Sequence, residues 1–194
     1  MNNADDPKQK FVETAHRLFA ERGYYGVSLA DVAKELGLTK QAIIYHFKTK
    51  EALYGAVLEQ LAERLRVLTE EAIVEGDTPL ERLRSFVENL GQLMREDAGD
   101  ARLIARELLD NLDRAQHSRK WYLRDFLDTS VTILRELPSM EHKDDTQLAT
   151  VAYQLIGAIN YFAISQPTLA GIWGEARLHE MQANFTGELL ERFA

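Results

Sequence analysis

Residues 28–47 read Ser-Leu-Ala-Asp-Val-Ala-Lys-Glu-Leu-Gly-Leu-Thr-Lys-Gln-Ala-Ile-Ile-Tyr-His-Phe. Ser28 opens a Ser-x-x-Asp signal for the start of one short helix, and Thr39 can cap a second. Between the two helices, Gly37 supplies a tight turn, and Ala33 is small enough to let them cross closely. The stretch therefore predicts a helix-turn-helix.

The two sides of this helix pair differ in chemistry. The inward faces are predicted to carry apolar side chains, namely Val32, Leu36, Leu38, Ile43 and Phe47. The outward face of the second helix carries mostly polar or aromatic side chains, namely Lys40, Gln41, Ala42, Ile44, Tyr45 and His46. Cations, amides and aromatic hydroxyls on one exposed helix face suit contact with phosphates and base edges. The pattern therefore indicates DNA binding.

Apolar residues recur at helical spacing along the rest of the chain, and no run alternates convincingly at the strand period of two. We predict an all-α fold of about nine helices. The first starts near Pro7 and ends at Gly23, and the fourth runs from Lys50 to about Glu75. The later helices are expected to start at Pro79, to be capped by Asp100, and to span about Ser118–Leu137, Asp145–Ser165 and Gly174–Phe193. Gln166-Pro167 is expected to separate the last two.

Charge is distributed unevenly along a chain whose formal net charge is −8. Residues 1–54 contain eight Lys and Arg against seven Asp and Glu, whereas residues 55–194 contain 15 against 24. The acidic balance argues against a general nucleic-acid binder. The near-neutral first part of the chain can still bind DNA if a few of its cations point the same way. The electric field of the DNA phosphates extends only about 10 Å at moderate salt, so the acidic remainder of the chain has little effect at that distance.

Several other classes of protein are disfavoured by the sequence. The chain has no cysteine, which excludes disulfides and thiolate sites and fits a reducing cytosol. Its first ten residues are polar and do not resemble a signal peptide. The longest apolar stretch, Leu148 to Ile164, is interrupted by Gln154 and Asn160, so we expect a buried helix rather than a membrane span. We expect a cytoplasmic protein with no cofactor and no metal site.

Over about residues 10–58 the sequence resembles the TetR family of transcriptional regulators. The first helix ends in Leu-Phe-Ala-Glu-Arg-Gly-Tyr-Tyr-Gly at residues 18–26, like the Phe-Ala-x-x-Gly turn of that family. Residues 28–33 and 37–40 match its next two blocks. Residues 45–53, Tyr-His-Phe-Lys-Thr-Lys-Glu-Ala-Leu, match the end of its recognition helix and the start of the fourth helix.

The resemblance implies a DNA-binding head over residues 1–47 and a ligand-binding and dimerisation body over residues 48–194. It implies that Lys40, Gln41 and Tyr45 read the DNA groove. It implies that Thr39, His46 and Lys50 contact phosphates. Ser28, Ala42 and Ile44 complete the implied DNA-binding set. The chain departs from the family at Ile44, where many members have a tyrosine. Either Tyr45 supplies the phenol instead, or this contact is apolar, for instance with a thymine methyl.

The body offers a candidate effector site of aromatic and apolar side chains with a few polar groups. The candidate lining is Phe86, Leu90, Met94, Trp121, Tyr122, Phe126, Tyr153 and Asn160. Most of these residues would be ordinary core in any helical bundle. A buried amide such as Asn160 needs a hydrogen-bond partner, which an effector, a neighbouring helix or a second copy could supply.

The last two helices are expected to form a homodimer interface of four helices. The resemblance suggests this arrangement, and small residues near Gly157 allow helices to approach closely. The predicted interface residues are Leu148, Ala152, Leu155, Gly157, Ala158, Ile159, Phe185 and Leu189. Together these features predict a repressor that small-molecule binding releases from a palindromic operator.

Two rival readings belong to other classes. A helical enzyme would need a nucleophile, a metal set or an acid–base pair in a cleft, and no such group is recognisable by spacing in the sequence, so we predict no enzymatic activity. A constitutive DNA-binding protein would lack an effector, and a body packed solid without a cavity would favour it. An activator would share the same sequence pattern as a repressor.

Overall fold

The structure, a computed structural model, describes residues 6–109 and 121–193. Within these residues it contains nine α-helices and no β-strand, which confirms the all-α prediction. The helices are α1 Pro7–Arg22, α2 Leu29–Glu35, α3 Lys40–His46, α4 Lys50–Glu75, α5 Pro79–Glu96, α6 Ala98–Leu109, α7 Arg124–Arg135, α8 Asp145–Trp173 and α9 Glu175–Leu190. Single 3₁₀ turns occupy Pro138–Met140 and Glu191–Phe193.

Side-chain caps fix the predicted starts of the early helices. The Asp6 carboxylate accepts a hydrogen bond from the Lys8 N–H at 2.9 Å, and Pro7 occupies the first turn of α1. At α2 the Ser28 hydroxyl accepts from the Asp31 N–H at 3.2 Å, while the Asp31 carboxylate accepts from the Ser28 N–H at 2.8 Å. These reciprocal bonds satisfy N–H groups that a helix start otherwise leaves unpaired, and they confirm the predicted starts.

The described residues divide into two compact units, residues 6–62 with 102–109 and residues 63–101 with 121–193. In the first unit α1, α2 and α3 pack on one another. Their core is fully buried and apolar, and its largest members are Phe11, Leu18, Phe19, Ile43 and Tyr54. The Phe19 and Tyr54 rings meet edge to face with centroids 4.9 Å apart, so the start of α4 is held against α1.

In the second unit α8 packs against α5, α7 and α9, and α5 also contacts α7 and α9. α5 buries one complete stripe, namely Leu83, Phe86, Val87, Leu90 and Met94. These residues follow the spacing of three and four that places side chains on one helix face. α8 is long and apolar enough to cross a membrane by length and composition alone, but 44% of its most apolar window is buried within the fold.

The start of α6 differs from the prediction, because Asp100 does not cap it. The helix begins at Ala98, and the Asp97 carboxylate accepts from the Gly99 N–H at 2.8 Å. Asp100 lies inside the first turn, 1% exposed, and its carboxylate accepts a hydrogen bond from the Arg64 guanidinium. An inward-facing Asp with a cationic partner is bound in the core and is not free to cap a helix.

The break predicted at Gln166-Pro167 is also wrong. α8 continues through Pro167 and ends only at Trp173, where Gly174 adopts a φ of 85°. An interior proline removes one backbone hydrogen bond and costs about 3 kcal/mol. The flanking turns are held by tertiary contacts, because the Phe162 and Phe185 rings stack at 4.2 Å and the Gln182 amide donates to Gln166 Oε1 at 3.1 Å.

Two other predicted helices are shorter than expected. The helix predicted over about Ser118–Leu137 is described only from Arg124 to Arg135, and its first predicted residues lie outside the described part of the chain. Leu137 is extended, with a ψ of 128°, because it precedes Pro138. The last helix ends at Leu190, and a 3₁₀ turn continues to Phe193.

Candidate nucleic-acid interface

The outward face of α3 is open to solvent as the sequence predicts. Lys40 and Gln41 are exposed, Ile44 is 39% exposed and Tyr45 is 84% exposed. Ile43 lies on the opposite, inward side of the same helix and is completely buried. A single anchored helix therefore presents a cation, an amide, an apolar side chain and a phenol to solvent, which are the groups that contact base edges in a major groove.

The predicted residues around this face are less accessible or already engaged. Ala42 and His46 are half-buried, and the His46 ring lies 5.7 Å from the Phe11 ring of α1. The Thr39 hydroxyl accepts from the Ala42 N–H at 3.3 Å, and the Ser28 hydroxyl is bound to Asp31. Thr39 and Ser28 thus fix the starts of α3 and α2 while remaining exposed.

The turn between α2 and α3 depends on one glycine and one alanine. Gly37 has a φ of 68°, a conformation in which a Cβ is strained, and Ala33 is 1% exposed at the contact of α2 with its neighbours. Leu38 was predicted to point inward, but it is 46% exposed. It lies in the link directly after the left-handed Gly37 and is not on a helix face, so helical spacing does not describe its direction.

Lys50 has specific partners within the first unit. Its ammonium group donates to the Tyr24 carbonyl oxygen at 3.0 Å and lies 4.2 Å from the centre of the Tyr24 ring. Tyr24 in turn contacts Tyr54 edge to face at 5.0 Å. Lys50 therefore fastens the segment after α1 to the start of α4, in addition to the phosphate contact that the resemblance implies.

Two exposed side chains near this surface were missed from the sequence. Tyr25 is 64% exposed, with its ring 5.3 Å from Tyr24 and 5.9 Å from the Lys50 ammonium. Lys8 lies with its ammonium 5.9 Å from the centre of the Phe47 ring, at the end of α3. The Gly-Tyr-Tyr-Gly motif at residues 23–26 does not indicate which tyrosine is exposed, and an N-terminal lysine shows no spacing signal of its own.

Electrostatics in the first unit favour an ordered helix-turn-helix. Hydrogen bonds from the Ser28 hydroxyl and N–H lower the pKa of Asp31 below its ordinary value. On the neighbouring face, Arg17 of α1 pairs with Glu35 of α2, and this hydrogen bond raises the pKa of Arg17. Both pairs are exposed, so each contributes little to the free energy of folding.

The predicted effector residues do not form one group in the structure. Phe86, Leu90, Met94 and Phe126 are buried in the core of the second unit, with the two phenyl rings 6.0 Å apart. Trp121 and Tyr153 are about half exposed, and Tyr122 is half-buried. These three residues therefore lie at the surface and not in the core.

Asn160 is the polar member of the predicted set, and it is 8% exposed. Its Nδ2 donates to the Ala101 carbonyl oxygen at 3.0 Å. Its Oδ1 is buried and has no hydrogen-bond partner among the residues that the structure describes. A buried carbonyl oxygen of this kind can accept one further donor at little cost, because it has already lost its water.

A surface groove lies between α4 and α5 in the second unit, with a volume of about 400 Å³. Its apolar lining residues are Val67, Leu68 and Leu93. Its polar lining carries carboxylates, amides and one cation, namely Glu63, Glu71, Glu75, Glu96, Asn89, Gln92 and Arg64. None of the predicted effector residues lines this groove, and sequence spacing gave no signal for it.

The predicted dimer residues divide into two sets. Leu148, Ala152, Leu155 and Ile159 are at most 2% exposed, so their side chains pack within the same chain and leave no surface for a second copy. The others are exposed or half-buried, namely Gly157, Ala158, Phe185 and Leu189. A Cβ built on Gly157 would meet nothing within 4 Å.

Three comparisons relate the chain to known proteins. The model of the family described as bacterial regulatory proteins, tetR family, matches residues 11–57. The transcriptional regulator RutR of Escherichia coli K12 is 21% identical over 185 residues, which is 95% of this chain and 87% of RutR. The family model therefore matches the part of the chain that contains the helix-turn-helix. The similarity to RutR extends over nearly the full chain.

Solved structures share the fold along the whole chain. The regulator FadR of Bacillus subtilis, solved with stearoyl-CoA, aligns with a TM-score of 0.71 at 21% identity, covering 96% of this chain and 99% of FadR. AibR, solved with isovaleryl coenzyme A and operator DNA, aligns with a TM-score of 0.70 at 18% identity, covering 94% and 97%. At these identities the likeness establishes the fold alone.

Proposed function

We propose that this chain is a cytoplasmic repressor of the TetR family, whose family model matches its residues 11–57. It binds a palindromic operator as a homodimer through residues 1–47. A small, mainly apolar effector binds within residues 48–194 and releases the DNA. The observation that carries the proposal is the exposed face of α3, where Lys40, Gln41 and Tyr45 stand clear of the fold around the buried Ile43.

Each exposed residue of α3 has a role that its chemistry supports. Gln41 can form paired hydrogen bonds with an adenine edge, and Lys40 can donate to guanine or to a phosphate. Ile44 can contact a thymine methyl, while the fully presented Tyr45 phenol reaches a phosphate or a base. Direct contact with base edges gives sequence preference, whereas phosphate contacts from Lys50 and the helix starts position the protein.

The larger part of the chain supports an apolar effector. The core of the second unit is built from aromatic and aliphatic side chains, and the buried Asn160 Oδ1 is free to accept a hydrogen bond from a bound molecule. The groove between α4 and α5 is lined by the apolar side chains of Val67, Leu68 and Leu93 together with polar groups, which suits a mainly apolar molecule. FadR and AibR were solved with acyl-coenzyme A molecules, whose acyl groups are apolar.

Selection from a random DNA library tests the DNA-binding part of the proposal. The purified protein should enrich inverted repeats whose half-sites lie about 34 Å or a multiple of it apart, the spacing of one helical turn. The enriched site, placed between a promoter and a reporter gene, should lower transcription. Enrichment of no sequence over the starting library, at physiological salt, would contradict sequence-specific binding.

A constitutive DNA-binding protein without effector is the second candidate. Phe86, Leu90, Met94 and Phe126 fill the core of the second unit, and a filled core favours this reading. The two candidates differ in one measurement. A repressor with an effector loses operator affinity when the effector is added, whereas a constitutive protein keeps it in the presence of every compound tested.

A further inference from the structure

The turn that joins α1 to α2 packs one tyrosine against the fold and presents the next to solvent. The Tyr24 ring is half-buried, with its centre 6.2 Å from the Phe19 ring and 5.0 Å from the Tyr54 ring. Tyr25 is 64% exposed, and its ring meets the edge of Tyr24 at 5.3 Å and the Lys50 ammonium at 5.9 Å. Within the described part of the chain the Tyr25 hydroxyl forms no hydrogen bond. Tyr24 therefore supports the turn, whereas the phenol of Tyr25 is available to a ligand.

The backbone on both sides of Tyr25 is held in place. A Cβ built on Gly26 would lie 2.3 Å from the carbonyl oxygen of Arg22, so the turn lies directly against the end of α1. On the other side of Tyr25, the Tyr24 carbonyl oxygen accepts a hydrogen bond from the Lys50 ammonium at 3.0 Å. The direction of Tyr25 is thus fixed by its two neighbours, and little backbone entropy is lost when its side chain binds a ligand.

The surroundings of the Tyr25 phenol favour an anionic oxygen as its ligand. The Lys50 ammonium near the ring supplies positive charge, and the phenol supplies a neutral O–H donor with a defined direction. Tyr25 also lies three residues before Ser28, whose hydroxyl caps α2 at the exposed start of the helix-turn-helix. Phosphate oxygens accept a large share of all protein–DNA hydrogen bonds, and tyrosine is among their donors.

We propose that Tyr25 contacts DNA, and that its hydroxyl donates a hydrogen bond to a backbone phosphate next to the one that Lys50 contacts. This inference rests on the DNA binding proposed above and adds a contact outside α3. A phosphate contact fixes the position of the protein on the duplex and carries no sequence preference of its own. Because the phenol is uncharged, this contact adds affinity without adding to the salt dependence of binding.

Tyr25→Phe tests the contact because it removes the hydroxyl and keeps the ring. The variant should bind the enriched operator and a scrambled duplex each about tenfold more weakly than the wild-type chain, the effect of losing one hydrogen bond to a charged group. The slope of log K against log salt should stay at the wild-type value, whereas Lys50→Ala should lower it by about one. Fluorescence anisotropy over a series of salt concentrations measures the affinities and the slopes.

A second measurement identifies the phosphate and separates contact from structural support. Operator duplexes are prepared in which one phosphate at a time is replaced by an uncharged methylphosphonate. At the phosphate that Tyr25 contacts, Tyr25→Phe should cost little further affinity, because the charged acceptor has already been removed. At every other phosphate the full loss of about tenfold should remain, since only groups in contact are coupled.

Tyr161→Phe is the matched control, because it removes a hydroxyl from a tyrosine of the second unit that is 76% exposed. This variant should bind both duplexes as the wild-type chain does. A wild-type chain that binds no duplex would contradict the proposed DNA binding itself. If the wild-type chain binds the operator and Tyr25→Phe binds it equally well, or loses the same affinity at every substituted phosphate, the Tyr25 contact alone is overturned.

Discussion

The Lys50 ammonium donates to the Tyr24 carbonyl oxygen at 3.0 Å and lies over the Tyr24 ring, while Gln41 extends from α3 without a contact of this kind among the bonds described for the chain. The two side chains therefore act differently on DNA. A phosphate close to Lys50 meets a cation that is already held in position, so little side-chain entropy is lost on binding. Gln41 has both its amide oxygen, an acceptor, and its amide NH₂, a donor, available for a base edge.

We expect Gln41→Ala to change which operator sequences bind, and Lys50→Ala to weaken all sequences alike. Loss of one amide–base pair should cost about 1–3 kcal/mol at the preferred site only. Loss of one phosphate contact should lower the slope of log K against log salt by about one. Fluorescence anisotropy with the selected operator and a scrambled duplex, over a series of salt concentrations, measures both effects.

The control for these variants is Gln92→Ala, an exposed glutamine of the second unit, which should bind both duplexes as the wild-type protein does. Lys50→Ala also removes the bond to Tyr24, so a lower Tm for this variant is part of the expectation. Equal affinity of Gln41→Ala for both duplexes, with no change from wild type, would show that Gln41 does not read bases.

At the scale of elements, the capping box of α2 links the order of the helix-turn-helix to pH. The Ser28 hydroxyl and N–H hold the pKa of Asp31 below its ordinary value. A carboxylate with a lowered pKa in the folded state stabilises the fold above the unfolded pKa, and this contribution is lost as pH falls through the folded value. The affected range therefore lies below about pH 4.

Ser28→Ala should raise the pKa of Asp31 towards its ordinary value and destabilise the protein by about 1 kcal/mol at neutral pH, the usual cost of losing an N-cap. NMR titration of the Asp31 carboxyl carbon and urea unfolding at two pH values measure the two effects. Ser85→Ala, in the middle of α5 and away from any helix cap, serves as the comparison. An unchanged Asp31 pKa in Ser28→Ala would contradict the role of the capping box.

Local signals of this kind explain which elements the sequence could predict. Ser28 with Asp31, Thr39 and Gly23 act through bonds or dihedral angles within a few residues, so they are visible in the sequence. Pro167 and Asp100 depend on distant partners. Pro167 remains helical because stacked rings and an amide pair hold the surrounding turns, and Asp100 is buried because Arg64 reaches it from another helix. Neither partner is adjacent in sequence.

The candidate site shows the same division. The outward face of α3 follows from helical periodicity, and the exposure of Lys40, Gln41 and Tyr45 confirms that these side chains face solvent. The prediction for Leu38 is wrong because its direction depends on the dihedral angle of Gly37 rather than on a helix face. Among the predicted dimer residues, periodicity identified α8 as apolar but could not tell the side that packs on its own chain from the side left open.

At the scale of the whole molecule, the open side of α8 allows the proposed dimer to be tested separately from the fold. Gly157 lies on this side, and a side chain placed there would meet nothing within 4 Å in the single chain. Gly157→Glu should therefore leave the fold intact but bury an unpaired carboxylate in a dimer, which costs several kcal/mol. Sedimentation velocity should find a folded monomer, with circular dichroism like that of wild type.

Gly157→Ala is the matched control, since it adds a Cβ without a charge and should remain dimeric. A Gly157→Glu protein that sediments as the wild-type dimer would place the interface away from the middle of α8. A variant that loses its helical signal would instead show that Gly157 is needed for the fold, contrary to the open space around it.

The last prediction concerns release from DNA. A hundredfold loss of operator affinity requires an effector to bind the released conformation about 2.7 kcal/mol more tightly than the DNA-bound one. Burial of roughly 110 Å² of additional apolar surface supplies this difference at roughly 25 cal/mol per Å². α4 runs unbroken from Lys50 to Glu75, so we propose it as the element through which effector binding reaches the DNA-binding helices. We expect fatty acids and their coenzyme A thioesters to lower operator affinity in anisotropy measurements, and sugar phosphates to have no effect. Release by the phosphorylated sugars alone would contradict an apolar effector.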